Sequence, residues 1–303
     1  RRRHAELNRA SDAFAATLAQ LGVKKGDPVA LFLNNCPQYL VAHHGIQKLG
    51  AIVCPCGPLN KAHELQYQLA DLQARVIVAA DALLPVVEQV RSQTALTHVF
   101  ATRYTDMLPD LPALNVPAEL APRLPEPLPA GVLDFMAATQ GHAVPPVVPI
   151  ELDDVALMTY TSGTTGLPKG AMLTYRNALF KTRAAATCNG VGTDDVLLTV
   201  APLYHIAGMV MGVNVPVLVG ATSVLLHRFD PVAVLQAIAR HRVTWWYSIA
   251  PMNGAILQMP QARETDLSSL RMNPVTSFGV VLTEALANQW RSLAPHCTSL
   301  KVS

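Results

Sequence analysis

The chain has 303 residues, a formal net charge of +2, 15% charged residues and 50% hydrophobic residues. That length fits one large α/β unit or two smaller ones, and the near-neutral charge gives no ground for a nucleic-acid partner. The longest run without Asp, Glu, Lys or Arg, residues 196–227, is broken by Pro202, His205, Asn214 and Pro216, which fits buried strands and helices better than the apolar helix of about 20 residues that spans a bilayer.

Leu7, Phe14, Leu18 and Leu21 recur at helical spacing, and Gly22 is a natural stop, so a helix is predicted over residues 5–21. The Arg1-Arg2-Arg3 run reads as a solvated or severed end, and no starter methionine, signal peptide or transit pattern is visible. A strand is predicted over 29–33, then a helix over 37–50 with Asn35 as cap and Pro37 as an early helical residue. Strand 51–56, a helix through Leu72 capped by Asn60, strand 75–80, helix 82–93 and strand 97–101 follow. This alternation predicts a mainly parallel sheet with covering helices. The five cysteines, Cys36, Cys54, Cys56, Cys188 and Cys297, are odd in number and scattered, as expected of reduced thiols in a cytoplasmic protein. Cys54-Pro55-Cys56 and His43-His44 match no standard zinc spacing, so no metal ligands are assigned.

Residues 108–149 are rich in proline and read as an extended connection. A strand at 155–158 leads into the most distinctive stretch, residues 159–170, with the sequence Thr-Tyr-Thr-Ser-Gly-Thr-Thr-Gly-Leu-Pro-Lys-Gly. Beyond it a helix is predicted over 174–188, a strand over 196–200, a helix from Ile206 and a strand over 223–226. A helix opened by Asp230-Pro231, strand 244–249, a helix after Pro251, strand 275–278, a helix from Thr283 and a strand near Leu300 complete the pattern.

No hydrophobic core needs the composition of residues 159–170. Glycines free the backbone so that successive N–H groups can converge on one anion. Hydroxyls add donors, and Lys169 adds a compact positive charge. By composition alone a Ser/Thr/Gly-rich surface turn is the better fit, and only the order of residues reverses that. A Walker phosphate loop does not fit. Gly163 and Gly166 are too close together, Pro168 precedes the lysine, and Gly170 replaces the metal-binding hydroxyl.

The order of residues from Tyr160 to Gly170 resembles the phosphate-binding signature of the adenylate-forming enzymes, the superfamily of acyl- and aryl-CoA synthetases, luciferases and adenylation domains. Further landmarks are His4-Ala5-Glu6-Leu7-Asn8, Gly26-Asp27-Pro28-Val29-Ala30, Asn34-Asn35-Cys36-Pro37 and Gly50-Ala51-Ile52-Val53. Pro202-Leu203-Tyr204-His205 resembles the family's Pro-Leu-aromatic-His element and is worded most like the fatty acid–CoA ligases. Taken alone, a histidine in such an apolar run is a hydrogen-bonded core residue.

The resemblance implies an α/β fold of two βαβ-layered subdomains, the large N-terminal region of an adenylate-forming enzyme, with the C-terminal domain absent. The first subdomain is expected over 37–194, including the connection 108–149. The second is expected to combine 1–36 with 195–303 and to carry the acyl pocket. The implied reaction activates a carboxylic acid, a medium- or long-chain fatty acid, with ATP and Mg2+ to an acyl adenylate, and then forms a thioester with coenzyme A. Thr161, Ser162, Gly163, Thr164, Thr165, Gly166 and Lys169 are expected to hold the phosphates. Lys169, His205 and Thr165 are the expected catalytic residues, and Tyr204, His205, Trp245 and Gly279 are expected at the acid. Taken alone, the Trp245-Trp246-Tyr247 cluster reads more readily as a buried strand with aromatic packing than as a substrate contact. Peripheral membrane contact for a lipid substrate and a homodimer both remain open.

Two departures matter. Phe278 and Val280 stand in Ser277-Phe278-Gly279-Val280-Val281, where the family carries small residues that let the backbone approach substrate and adenine. The chain also stops at Lys301-Val302-Ser303, before elements that complete the family's site. These 303 residues alone are therefore expected not to complete catalysis. An aryl- or amino-acid adenylating enzyme and a degenerate nucleotide-binding non-enzyme are the alternatives.

Overall fold

The computed structural model describes residues 4–108, 114, 117, 120, 127–161, 167–277 and 280–298. The chain divides into two units, one of residues 1–111, 116–181 and 204–206, the other of residues 112–115, 182–203 and 207–303.

The first unit begins with α1 (His4–Gln20), β1 (Pro28–Phe32), α2 (Pro37–Lys48), β2 (Ile52–Pro55), α3 (Ala62–Leu72) and β3 (Val76–Ala80). A 3-10 turn, Asp81–Leu83, leads into α4 (Leu84–Arg91), and β4 (His98–Thr102) follows. Within the proline-rich connection lie β5 (Val132–Asp134) and α5 (Phe135–Ala138), neither of which is expected from the sequence. Next come β6 (Val155–Tyr160), β7 (Gly170–Thr174) and α6 (Tyr175–Cys188), which begins in this unit and ends in the other. The seven strands form one sheet in the order β5-β4-β3-β1-β2-β6-β7. All neighbours are parallel except the β6–β7 hairpin. Strands covered on both faces read as continuous apolar runs, and all five residues of β3 are buried.

The placement of β1 corrects the expected domain division. It pairs with β2 on one side and β3 on the other, and α1 packs on α2. Residues 1–36 therefore belong with the first unit rather than the second. Two caps differ as well. Cys36, not Asn35, is the N-cap residue of α2. At α3 the N-cap position falls on Lys61, whose N–H donates to the Glu64 carboxylate at 2.7 Å, and the Asn60 amide instead donates to Gln68.

The second unit runs β8 (Val196–Thr199), α7 (Ile206–Gly208), a π-helical stretch Met209–Asn214, α8 (Val215–Val219), β9 (Thr222–Leu225) and α9 (Pro231–His241). It continues with β10 (Trp245–Trp246), β11 (Ser248–Ile249), α10 (Ala250–Leu257), β12 (Val275–Thr276) and α11 (Glu284–Leu293). The single strand expected over 244–249 is split. β10 joins a parallel three-stranded sheet in the order β10-β8-β9, while β11 pairs with β12. The strand expected near Leu300 lies outside the described residues. Among the described residues no helix is long and apolar enough to cross a membrane.

Asp195 ties this unit together at the start of β8. Its carboxylate accepts from the Arg271 guanidinium at 2.8 Å, from the Thr244 hydroxyl at 2.6 Å and from the Gly192 N–H at 2.8 Å. Burial raises its pKa, but these donors outweigh it and hold the acid below its ordinary range.

Candidate functional site

Strands β1, β2 and β6 run parallel, so their carboxyl ends share one edge of the sheet. In open α/β sheets that edge, beyond the strand ends, is where ligands bind. The glycine-rich segment leaves from the carboxyl end of β6. Its legs are closed by the hairpin, in which Tyr160 pairs with Gly170. Beyond that pair the Thr161 N–H donates to the Lys169 carbonyl at 3.0 Å, and the Lys169 N–H donates to the Thr161 hydroxyl at 3.3 Å. Thr161 and Lys169 are both exposed. Ser162, Gly163, Thr164, Thr165 and Gly166 lie outside the described residues.

The foot of the hairpin is close-packed. A Cβ built on Gly170 would lie 3.1 Å from the Met158 sulfur and 3.3 Å from the Tyr160 ring. The antiparallel return strand β7 was missed in the sequence. Its residues Gly-Ala-Met-Leu-Thr are intermediate or exposed and carry no apolar/polar alternation. At its end, Thr174 and Asn177 cap α6 reciprocally. Thr174 donates its N–H to Asn177 at 3.0 Å, and the Asn177 N–H donates to the Thr174 hydroxyl at 3.3 Å.

Tyr204 and His205, although far along the chain, belong to the same unit as the loop. The Tyr204 ring stands beside the loop that joins β2 to α3: a Cβ built on Gly57 would lie 3.9 Å from it. Tyr204 is half-buried, and burial raises its pKa. His205 is exposed, in contrast to the buried core histidine its apolar surroundings also allow. Thr161, Lys169 and Tyr204 are thus associated with neighbouring strand ends of one sheet.

The other two expected acid-binding residues fall in the second unit. Trp245 is 1% exposed and packs among Leu197, Val210, Val215 and Ala221. Gly279 lies outside the described residues, as does Phe278. Val280 and Val281, exposed, line a groove of about 560 Å³ with Pro251, Gly254 and Ala255 of α10 and Leu286 of α11.

The cysteines take no visible part. Cys36, Cys54, Cys56 and Cys297 are buried, and all five are free. Burial pushes the Cys36 and Cys56 thiols up to about 12, the opposite of an activated nucleophile.

Sequence reasoning missed two residues that touch the loop. The Tyr67 hydroxyl donates to the Pro168 carbonyl at 2.8 Å, and the Tyr160 hydroxyl donates to the Asp71 carboxylate. Nothing local could reveal them, because each partner lies 101 or 89 residues away.

The chain is similar to several known proteins. A long-chain-fatty-acid–CoA ligase of Bacillus subtilis is 32% identical over 274 residues, 85% of this chain and 47% of the relative. A feruloyl-CoA synthase of an Amycolatopsis species is 36% identical over 269 residues, covering 88% and 48% of the two chains. Among solved structures, an anthranilate CoA ligase in complex with anthranoyl-AMP superposes with a TM-score of 0.82 at 26% identity, over 95% of this chain and 52% of that one. The chain spans about half the length of the curated relatives it matches. The family model described as AMP-binding enzyme matches residues 2–301, so nearly every element described above falls inside it, and the chain belongs to the AMP-binding enzyme family.

Proposed function

We propose that the protein activates a carboxylic acid with ATP and passes the acyl group to coenzyme A. The observation that carries this reading is the β6–β7 hairpin at the carboxyl edge of the sheet, with exposed Lys169 on its returning leg and Tyr204 beside the adjacent β2–α3 loop. Among the described residues, the bonds between Thr161 and Lys169 leave the Lys169 side chain exposed, which fits a nucleotide polyphosphate.

A carboxylate is a poor acyl donor, because oxide would have to leave. Its oxygen attacks the α-phosphorus of ATP, an O–P bond forms, the bond to the β-phosphate oxygen breaks, and pyrophosphate departs. The sulfur of coenzyme A, its proton lost to solvent or a base, then attacks the acyl carbon. The C–S bond forms, the C–O bond to phosphorus breaks, and AMP leaves. Two anions must be held together while charge grows at phosphorus. Lys169 supplies positive charge to the β- and γ-phosphates, and Thr161, Ser162, Gly163, Thr164, Thr165 and Gly166 supply N–H and hydroxyl donors. Magnesium, when bound with the triphosphate, would neutralise part of its charge. Tyr204 and His205 border the acid.

A fatty acid is the first choice of substrate, supported by the long-chain relatives. Each buried methylene contributes about 0.8 kcal/mol, so an apolar tunnel would suffice for selection. An aryl acid is the second reading, favoured by the feruloyl and anthranilate relatives. The protein should exchange labelled pyrophosphate into ATP only with its cognate acid, and a panel of fatty, aryl and amino acids separates the readings. Lys169→Ala should lower exchange at least tenfold. Exchange with no acid of the panel would leave the non-enzymatic nucleotide binder, and full exchange by Lys169→Ala would refute the site.

A further inference from the structure

Helix α3 reaches both legs of the loop from one face. Tyr67 and Asp71 are four residues apart and so lie on the same side of the helix. The opposite side is fixed to the unit: Leu65, Leu69 and Leu72 are buried among Ala30, Cys54, Ile77 and Val87. Gln68, buried, donates to the Pro55 carbonyl at the end of β2 at 2.8 Å. The start of the helix is held by the Lys61–Glu64 bond. From this anchored helix, the Tyr67 hydroxyl takes the Pro168 carbonyl on the returning leg, and the Asp71 carboxylate takes the Tyr160 hydroxyl on the outgoing leg.

The consequence falls on Lys169. The carbonyl before it is held by Tyr67, its own N–H bonds the Thr161 hydroxyl, and its own carbonyl accepts the Thr161 N–H. Its backbone is therefore fixed at three consecutive polar atoms while its side chain is exposed. A flexible ammonium recruited from an ordered backbone loses less entropy on binding an anion than one on a free loop. Sheet stability does not require this bracing. The hairpin ladder already ends at Tyr160–Gly170, and Asp71 is exposed.

We propose that Tyr67 and Asp71 are positioning residues that hold the two legs of the loop and so present Lys169 to the polyphosphate of ATP. The proposal rests on the nucleotide reading of the loop given above. Neither residue touches the reacting atoms; each acts through the loop.

The test uses ATP binding by calorimetry, thermal melting, and hydrogen exchange of peptides spanning residues 161–170, all on the 303-residue chain. Tyr67→Phe removes one hydroxyl and should weaken ATP binding roughly threefold to tenfold, speed exchange in the loop, and leave the melting temperature unchanged. Asp71→Ala should do the same, whereas Asp71→Asn keeps an acceptor for Tyr160 and should restore affinity. Adding Tyr67→Phe to Lys169→Ala should cost nothing further, since the lysine through which Tyr67 acts is gone. Unchanged affinity in Tyr67→Phe, or an equal loss with and without Lys169, would overturn the proposal while leaving the nucleotide reading intact. A wild-type chain that does not bind ATP, or a Lys169→Ala chain that binds it normally, would overturn both.

Discussion

Gly208 ends α7, where its backbone lies close against Ala201 and Pro202. A Cβ built there would sit 2.0 Å from the Pro202 carbonyl oxygen, 2.6 Å from its carbon and 2.8 Å from the Ala201 carbonyl oxygen. Ordinary van der Waals contact begins at 3.4 Å, so one backbone segment must retreat by more than about 1 Å. Rotation of a side chain cannot relieve the clash, because all three obstructing atoms are main chain. Overpacking costs about 1–3 kcal/mol where neighbours can adjust, and Gly208→Ala should reach or exceed about 3 kcal/mol. The matched control is Gly254→Ala on α10, where no atom lies within 4 Å of the added carbon. A helical Gly→Ala change with room should instead stabilise by roughly 0.5–1 kcal/mol. The chain's three tryptophans, Trp245, Trp246 and Trp290, are all buried in the second unit, so intrinsic fluorescence follows the unit that holds Gly208. With an m-value of about 2 kcal/mol/M, the urea midpoint of Gly208→Ala should fall by roughly 1.5 M, while that of Gly254→Ala should not fall. A Gly208→Ala midpoint equal to wild type at unchanged m would refute the packing described for this turn.

Three other perturbations follow from buried polar groups. Asp195→Asn breaks a pair in which the acid side chain is 11% exposed and Arg271 40% exposed, and should cost about 2 kcal/mol at pH 7. Because the folded-state pKa is depressed, the wild-type advantage is full above the unfolded value near ~3.9 and is lost as pH falls through the lowered folded value; an advantage that does not shrink at all on acidification would contradict the ion pair. Burial, with Lys48 and His4 nearby, lowers His44 to about 4, so the folded state excludes its proton. Stability should be full above the unfolded value of ~6.5 and decline toward pH 4 by at most roughly 3 kcal/mol, and the acid limb should flatten in His44→Gln if this imidazole is responsible. Ser248, Asn253 and Asn273 close a buried ring: Ser248 donates to Asn273 at 2.6 Å, Asn253 to Ser248 at 2.7 Å and Asn273 to Asn253 at 2.8 Å. Asn253→Ala leaves the Asn273 amide N–H without its acceptor and the Ser248 oxygen without its donor, and should cost about 3 kcal/mol by urea titration of tryptophan fluorescence; a loss under 1 kcal/mol would show that the ring is not cooperative.

The alternation of helices and strands was legible because most strands here are parallel and covered on both faces, so each reads as a short apolar run such as Val76–Ala80. Which sheet a strand joins is a different kind of fact. Nothing in residues 28–32 says that β1 inserts between β2 and β3, and the family division at residue 36 placed it wrongly. The short β5 and α5 were hidden by prolines on either side, although Asp134 caps α5 by accepting from the Met136 and Ala137 N–H groups. The loop announced itself by residue order, since its chemistry sits in consecutive positions; its bracing from α3 did not, since that depends on pairs separated by most of the first unit.

Trp245 shows why an aromatic run is a poor guide to a ligand. Adjacent residues of a strand point to opposite faces. Trp246 enters one core with Val234, Ile238 and Trp290, while Trp245 enters another with Leu197, Val215 and Ala221. With helices and loops filling both sides, β10 keeps neither face for a substrate, and each indole serves as the large apolar filler its face needs. The Tyr204 ring differs in kind. It is half-buried, it sits on a loop rather than a strand, and it stands beside a glycine at the carboxyl edge of the sheet. In this chain Tyr204, near a strand end beside Gly57, keeps some exposure, whereas the two tryptophans inside the strand are buried by packing.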